Sequence, residues 1–220
     1  MKKRRVIRLC LASLVGLAVI WPHVLAAQSQ DGTNDSIKVG DWWTYNHKDE
    51  ITGLLVDTYT SAVTEISPKE IATSLTFRGR NGAGAVVFDH DWNRIANGAL
   101  RYKPSDGHGI RLPLAVGKEW RIEFEERNVQ NGVNVKGASW SKVAAQESVT
   151  TPAGTFETFR IERQVKQFNA ADPSRSTDIQ FVLWFAPQIN HWVRRTTLIK
   201  VEKRTRESRS DELIEFGRKQ

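Results

Sequence analysis
The chain has 220 residues and a formal net charge of +7, with 40% hydrophobic and 26% charged residues and a single cysteine. That length gives one domain enough chain to bury a core, and the lone cysteine excludes any disulfide within the chain. Much of the positive charge lies at the N-terminus, where Lys2, Lys3, Arg4, Arg5 and Arg8 stand without an acid before residue 27, so a basic balance that would suggest nucleic acid is confined to that segment.

After the basic residues comes an apolar run, Leu9 to Trp21, and then Pro22-His23-Val24-Leu25-Ala26-Ala27. Val24 and Ala26 suit the −3 and −1 positions of a cleavage site, so residues 1–26 are expected to be a cleaved export signal. The apolar run is short for a membrane span, which needs roughly 20 residues, and no transmembrane span is expected after cleavage. The general secretory route is preferred over the twin-arginine route that Arg4-Arg5 suggests. Cys10 starts the apolar run and does not end it, which does not suit lipid acylation. Removing five of the 32 Lys and Arg leaves 27 basic against 25 acidic residues, a net charge of +2. The expected location is the periplasm, with secretion beyond it left open. Residues 27–37 are polar and read as a flexible leader, residues 38–217 as one β-rich domain, and 218–220 as a tail.

From residue 38 onwards the pattern has period two, the signature of half-buried strands. "WTYNH" (43–47) aligns Trp43, Tyr45 and His47. "EWRIEFEE" (119–126) puts Trp120, Ile122 and Phe124 on one face and charges on the other. "FETFRIERQV" (156–165) groups Phe159, Ile161 and Val165. "FVLWF" (181–185) is continuously apolar, and "VRRTTLIKVEKR" (193–204) alternates less cleanly, with Val193, Ile199 and Val201 on one side. Turn chemistry separates these runs at "NGAG" (81–84), "KPSDGHG" (103–109), "QNG" (130–132), "TPAG" (151–154) and "ADPS" (171–174). In "TPAG" the proline suits the second turn position and Gly154 can take positive φ. No long segment carries a 3.6-residue period. The expected fold is mainly β with little helix: a single curved antiparallel sheet or half-open barrel built as a meander. A weak repeat, "VGDWWTYNH" (39–47) against "VGKEWRIEF" (116–124), admits two readings. The copies are either similar strand starts or the openings of two related halves.

Few motifs carry chemistry. "FDHDWN" (88–93) spaces Asp89, Asp91 and Asn93 like the start of a calcium loop, but Arg94 and Leu100 occupy positions that need Gly and Glu. "GASWS" (137–141) has half of a nucleophile elbow. No metal site, cofactor or catalytic residue is expected, and the domain is read as non-enzymatic. Seven tryptophans follow residue 26: Trp42, Trp43, Trp92, Trp120, Trp140, Trp184 and Trp192. Adjacent strand residues face opposite ways, so Trp42 is the candidate exposed aromatic. Trp43, Tyr45, Trp120, Ile122, Phe124 and Trp184 are the candidate ligand-lining set.

The runs "LPLAVGKEW" (112–120), "TPAGTFETFRIE" (151–162), "LWFAPQINHWVRR" (183–195) and "DELIEF" (211–216) resemble an uncharacterised exported family of Gram-negative envelopes, related in fold to the lipoprotein-localisation carriers. The resemblance covers roughly residues 38–217. It implies a curved sheet in the envelope whose concave face holds an apolar or lipid-like ligand, or meets an envelope protein. It brings no catalytic residues, and the chain lacks the long helix that plugs the carriers' barrel. A carbohydrate-binding module using exposed Trp42 is the second reading. A hydrolase built from His90, His108 and nearby acids is the third.

Overall fold
In the computed structural model, which describes residues 37–218, the alternating runs become twelve antiparallel strands. These are β1 (Trp42–Asp49), β2 (Leu55–Ile66), β3 (Ile71–Phe77), β4 (Ala83–Phe88), β5 (Arg94–Asn97), β6 (Leu100–Lys103), β7 (Glu119–Asn128), β8 (Asn134–Thr151), β9 (Gly154–Asn169), β10 (Asp172–Ala186), β11 (His191–Val201) and β12 (Arg204–Gly217). A one-turn 3-10 helix, Pro187–Ile189, joins β10 to β11. The expected export signal, all of the leader except Ile37, and Lys219 and Gln220 of the tail lie outside the described residues. Ile37 itself is buried in the core.

Each strand pairs with its neighbours in sequence, and β1 pairs with β12 from Trp42↔Gly217 to Asp49↔Arg209. The sheet is therefore a closed barrel, where the sequence pattern leads to a half-open one. Closure removes both free edges, which would otherwise present unpaired backbone groups. Antiparallel order puts the turns β1–β2, β3–β4, β5–β6, β7–β8, β9–β10 and β11–β12 at one end, here the hairpin end. The opposite end carries the remaining turns, among them the β8–β9 hairpin and the long connection from β6 to β7.

That opposite end is filled. The connection between β6 and β7, residues 104–118, folds into the barrel and plugs this end. Asp106, Ile110 and Leu114 are buried on it. Its backbone is tied down by Asp106 N to the Arg94 carbonyl (2.9 Å) and Ile110 N to the Asp91 carbonyl (2.7 Å). Gly109 is required by space, because a Cβ there would lie 2.1 Å from the Asp91 carbonyl oxygen. Around this loop pack Trp43, Ile71, Phe88, Trp92, Phe185, Ile189 and Val193 in one continuous apolar core. Burying each large side chain of this kind contributes roughly 1.5–3 kcal/mol.

The repeat seen in sequence has a structural counterpart. Gly40 and Gly117 both have positive φ (94° and 88°). Gly40 N donates to the Val63 carbonyl and Val63 N to the Asp41 carbonyl. Gly117 N donates to the Val143 carbonyl and Val143 N to the Lys118 carbonyl. Trp43 and Trp120 then turn into the core. The strands opened this way, β1 and β7, begin the first and second six strands of the barrel.

Candidate functional site
The interior toward the hairpin end is not filled. A cavity of about 250 Å³ is lined by Leu75, Phe77, Val86, Phe88, Trp92 and Leu183, with Tyr59, His47, Arg94, His108, Arg195, Arg209 and Asp211. A second lobe of about 140 Å³ is lined by Tyr102, Phe124, Ile179, Phe181 and Ile199, and shares Arg94, His108, Arg195 and Arg209 with the first. A larger groove of about 720 Å³ lies against Asn46, Lys48, Arg194, Thr196 and Glu212, the outward residues of β1, β11 and β12. It is a polar surface trough, not an interior.

Strand register places the interior charges. His47 and Arg195 both pair with Asp211, so one carboxylate stands between an imidazole and a guanidinium. Asp211 lies 2.8 Å from His47 Nδ1 and accepts from Arg195 Nη2 at 2.7 Å and Nε at 3.0 Å. Burial alone would raise this carboxyl, but Arg195 and His47 bring it down to about 2. The same carboxylate helps burial to push the Tyr59 hydroxyl up, so that tyrosine stays neutral.

The plug loop supplies the second group. Asp106 accepts from Arg94 Nε (2.5 Å), Arg94 N (2.9 Å) and His108 N (2.9 Å). Burial opposes the Asp106 charge, yet the facing His108 and Arg94 and these donors hold the carboxyl below its usual range. Arg94 Nη2 lies 2.9 Å from His108 Nδ1. Asp106 Oδ2 lies 3.2 Å from the same nitrogen, but the nearer neighbour, the one with hydrogen-bond geometry, is the guanidinium, which only donates, so Nδ1 accepts and the ring proton sits on Nε2. Burial pushes His108 down to about 4 against the pull of Asp106, which keeps the ring neutral. Its Nε2 is buried and has no hydrogen-bond partner among the described residues. Arg163 is buried beside this loop and donates to the carbonyls of His108 and Gly109 and, at 2.8 Å, to Ser141 Oγ. Burial lowers its guanidinium to about 10.

The residues singled out from sequence are divided by this arrangement. Trp43 and Tyr45 are fully buried at the filled end. Trp43 stacks on His191 at 4.0 Å, and the Tyr45 hydroxyl donates to the Trp192 carbonyl while sitting 2.5 Å from His191 Nδ1. Trp120 is buried in the same core, and Ile122 packs against it. Phe124 alone of the set lines a lobe, and its ring covers Gly137 on the neighbouring strand. Trp184 is on the opposite face of β10 from Leu183, its Nε1 donating to Glu147 at 2.7 Å. Trp42 is half-buried against Gly217, and among the described residues the exposed tryptophan is Trp140 (44%), beneath the Arg121 guanidinium.

The remaining motifs have structural partners. Asp89 closes a turn on the amides of Asp91 and Asn93, in which Trp92 takes a positive φ of 61°. Ser139 Oγ donates to the Gly107 carbonyl. His90 reaches the Ser67 carbonyl at 2.9 Å and does not join His108 in the cavity.

No protein-family model matches the chain, and no curated protein matches it. Solved structures do. A candidate lipoprotein from Parabacteroides distasonis ATCC 8503 superposes with a TM-score of 0.56 at 14% identity, over 84% of this chain and 98% of that one. A candidate exported protein with YmcC-like fold from Bacteroides fragilis NCTC 9343 gives 0.49 at 15% identity, over 83% and 97%. The hypothetical lipoprotein YmcC of Escherichia coli (K12) gives 0.49 at 8% identity, over 86% and 90%. The first of these shares the barrel fold.

Proposed function
We propose that this protein is a non-enzymatic binding barrel of the cell envelope that takes a small apolar or lipid-like molecule into the hairpin end of its interior. The observation that carries this reading is the unfilled cavity walled by Leu75, Phe77, Val86, Phe88 and Leu183 in a barrel whose other end is packed solid. Binding pockets are concave and mostly apolar, with a few placed polar groups. The basic and apolar N-terminal run supports export to the periplasm, and the Parabacteroides neighbour is itself described as a candidate lipoprotein. A volume of about 250 Å³ suits one short chain or a small ring system, not several acyl chains. The two serines of the half nucleophile-elbow motif do not line this space: Ser139 is bonded to the plug loop and Ser141 to Arg163.

The neutral fluorophore N-phenyl-1-naphthylamine tests the reading. Saturable one-to-one binding is expected, and Leu75→Trp, which fills the apolar lobe, should abolish it. Equal binding by the variant, or none by the natural protein, would remove the cavity from consideration.

A further inference from the structure
The two lobes meet at Arg94, His108, Arg195 and Arg209, and every one of these carries N–H donors. We propose that this junction holds the anionic oxygens of the ligand, a carboxylate or a phosphate ester, while its apolar part lies in the lobe of Leu75, Val86 and Leu183. This rests on the cavity reading above and names the class of molecule.

Three features converge on it. The guanidiniums are fixed by carboxylates of the chain: Arg195 by Asp211, Arg94 by Asp106, and Arg209 by Glu207. These contacts, with that of Arg94 Nη2 to His108 Nδ1, engage only part of each guanidinium fork, and leave Nη1 of Arg94 and of Arg195 and Nη2 of Arg209 for a ligand. The side chains of Arg94, Arg195 and Arg209 are 29%, 28% and 33% exposed, so their remaining donors reach the space of the cavity. Second, the Nε2–H of His108 is a buried donor with no partner, on a residue that lines both lobes. Leaving such a group unsatisfied is costly, and a ligand oxygen would satisfy it. Third, one buried cation beside the junction has no carboxylate bonded to it among the described residues: Arg163, next to the Arg94–Asp106–His108 cluster. The acids that line the lobes besides Asp211 and Asp106 are Asp57, bonded to Arg80, and Glu126, both near the hairpin end. Charge-assisted hydrogen bonds from a preset guanidinium fork are the strong kind, and they favour carboxylate and phosphate.

Calorimetric titration at pH 7 with octanoate, octyl phosphate and 1-octanol separates the possibilities. At least one anion should bind about tenfold or more tighter than the alcohol, and the tighter of the two identifies carboxylate or phosphate as the group recognised. Arg209→Gln should weaken the anion more than octanol and so reduce or remove that preference. Arg195→Lys, which keeps the pairing with Asp211 but not the fork, should weaken the anion alone. If octanol binds as tightly as both anions, or if neither variant moves the anion affinity, the anionic ligand is wrong and the apolar cavity stands. If none of the three nor the fluorophore binds, both readings fall together.

Discussion

His108 is the residue at which burial and chemistry meet most sharply. It is neutral in the folded barrel, held to about 4 by burial, with Asp106 pulling the other way. An unfolded chain would protonate the same imidazole near its ordinary value of about 6.5. As pH falls through that window the unfolded state gains a proton that the folded state does not, so stability drops. His191, pushed well below its ordinary value by burial, acts in the same direction. Asp211 adds a second, more acidic loss between about pH 4 and about 2, because its folded carboxyl titrates lower than the unfolded one. Urea unfolding at pH 7, 5.5 and 4.5 should therefore show a steady fall, up to about 1.4 kcal/mol per pH unit for each histidine. His108→Gln should make the slope shallower. A flat profile in the natural protein would mean that His108 is protonated or reached by water. The interior charges left a trace in the sequence. His47 is in phase with Trp43 and Tyr45, Arg163 with Ile161 and Val165, and Arg195 with Val193 and Ile199. Polar residues on an apolar face are the signal for this cluster, and the aromatics on the same faces are the more conspicuous pattern. Most of those aromatics fill the core, because the barrel's packed end takes the largest side chains.

The 104–118 connection decides what the barrel can contain. It presents Asp106 and His108 to the cavity and is locked at Gly109, whose position beside the Asp91 carbonyl has no space for a methyl group. Gly109→Ala should destabilise the fold by about 2–3 kcal/mol and displace the loop, with anion binding weakened as His108 moves. Gly117→Ala is the control. Its φ of 88° is strained for alanine but nothing lies within 4 Å, so about 1 kcal/mol is expected. Thermal melts of the two variants check the order, and equal losses would contradict the plug's tight fit. Sequence located this element only as a turn. "KPSDGHG" is rich in turn residues, and no local pattern tells a surface loop from one that folds inward, because its partners Arg94, Asn93 and Arg163 come from other elements. By contrast, "TPAG" was legible as the β8–β9 hairpin. Thr151 pairs with Gly154, and Gly154 has a φ of 131°.

At the scale of the molecule, twelve strands close where alternation alone could not say whether they would. Closure depends on the pairing of the first strand with the last, Trp43↔Phe216 and His47↔Asp211, a contact across the whole chain that no local pattern encodes. It converts a concave face into an interior, and the plug divides that interior into a solid half and a hollow half. The two similar six-strand openings at Gly40 and Gly117 give the barrel an internal likeness, but the halves do different work. The charged pair of β11 and β12 belongs to the second half, and the apolar wall of Leu75, Phe77 and Val86 to the first. A ligand between them would touch both. The direct test is nuclear magnetic resonance of the methyl-labelled protein with octanoate, reading magnetisation transfer from the ligand chain. The account predicts transfer to the methyl groups of Leu75, Val86 and Leu183, inside the barrel. Transfer confined to Val182 and Leu198 on the outer wall, or none at saturating octanoate, would contradict it.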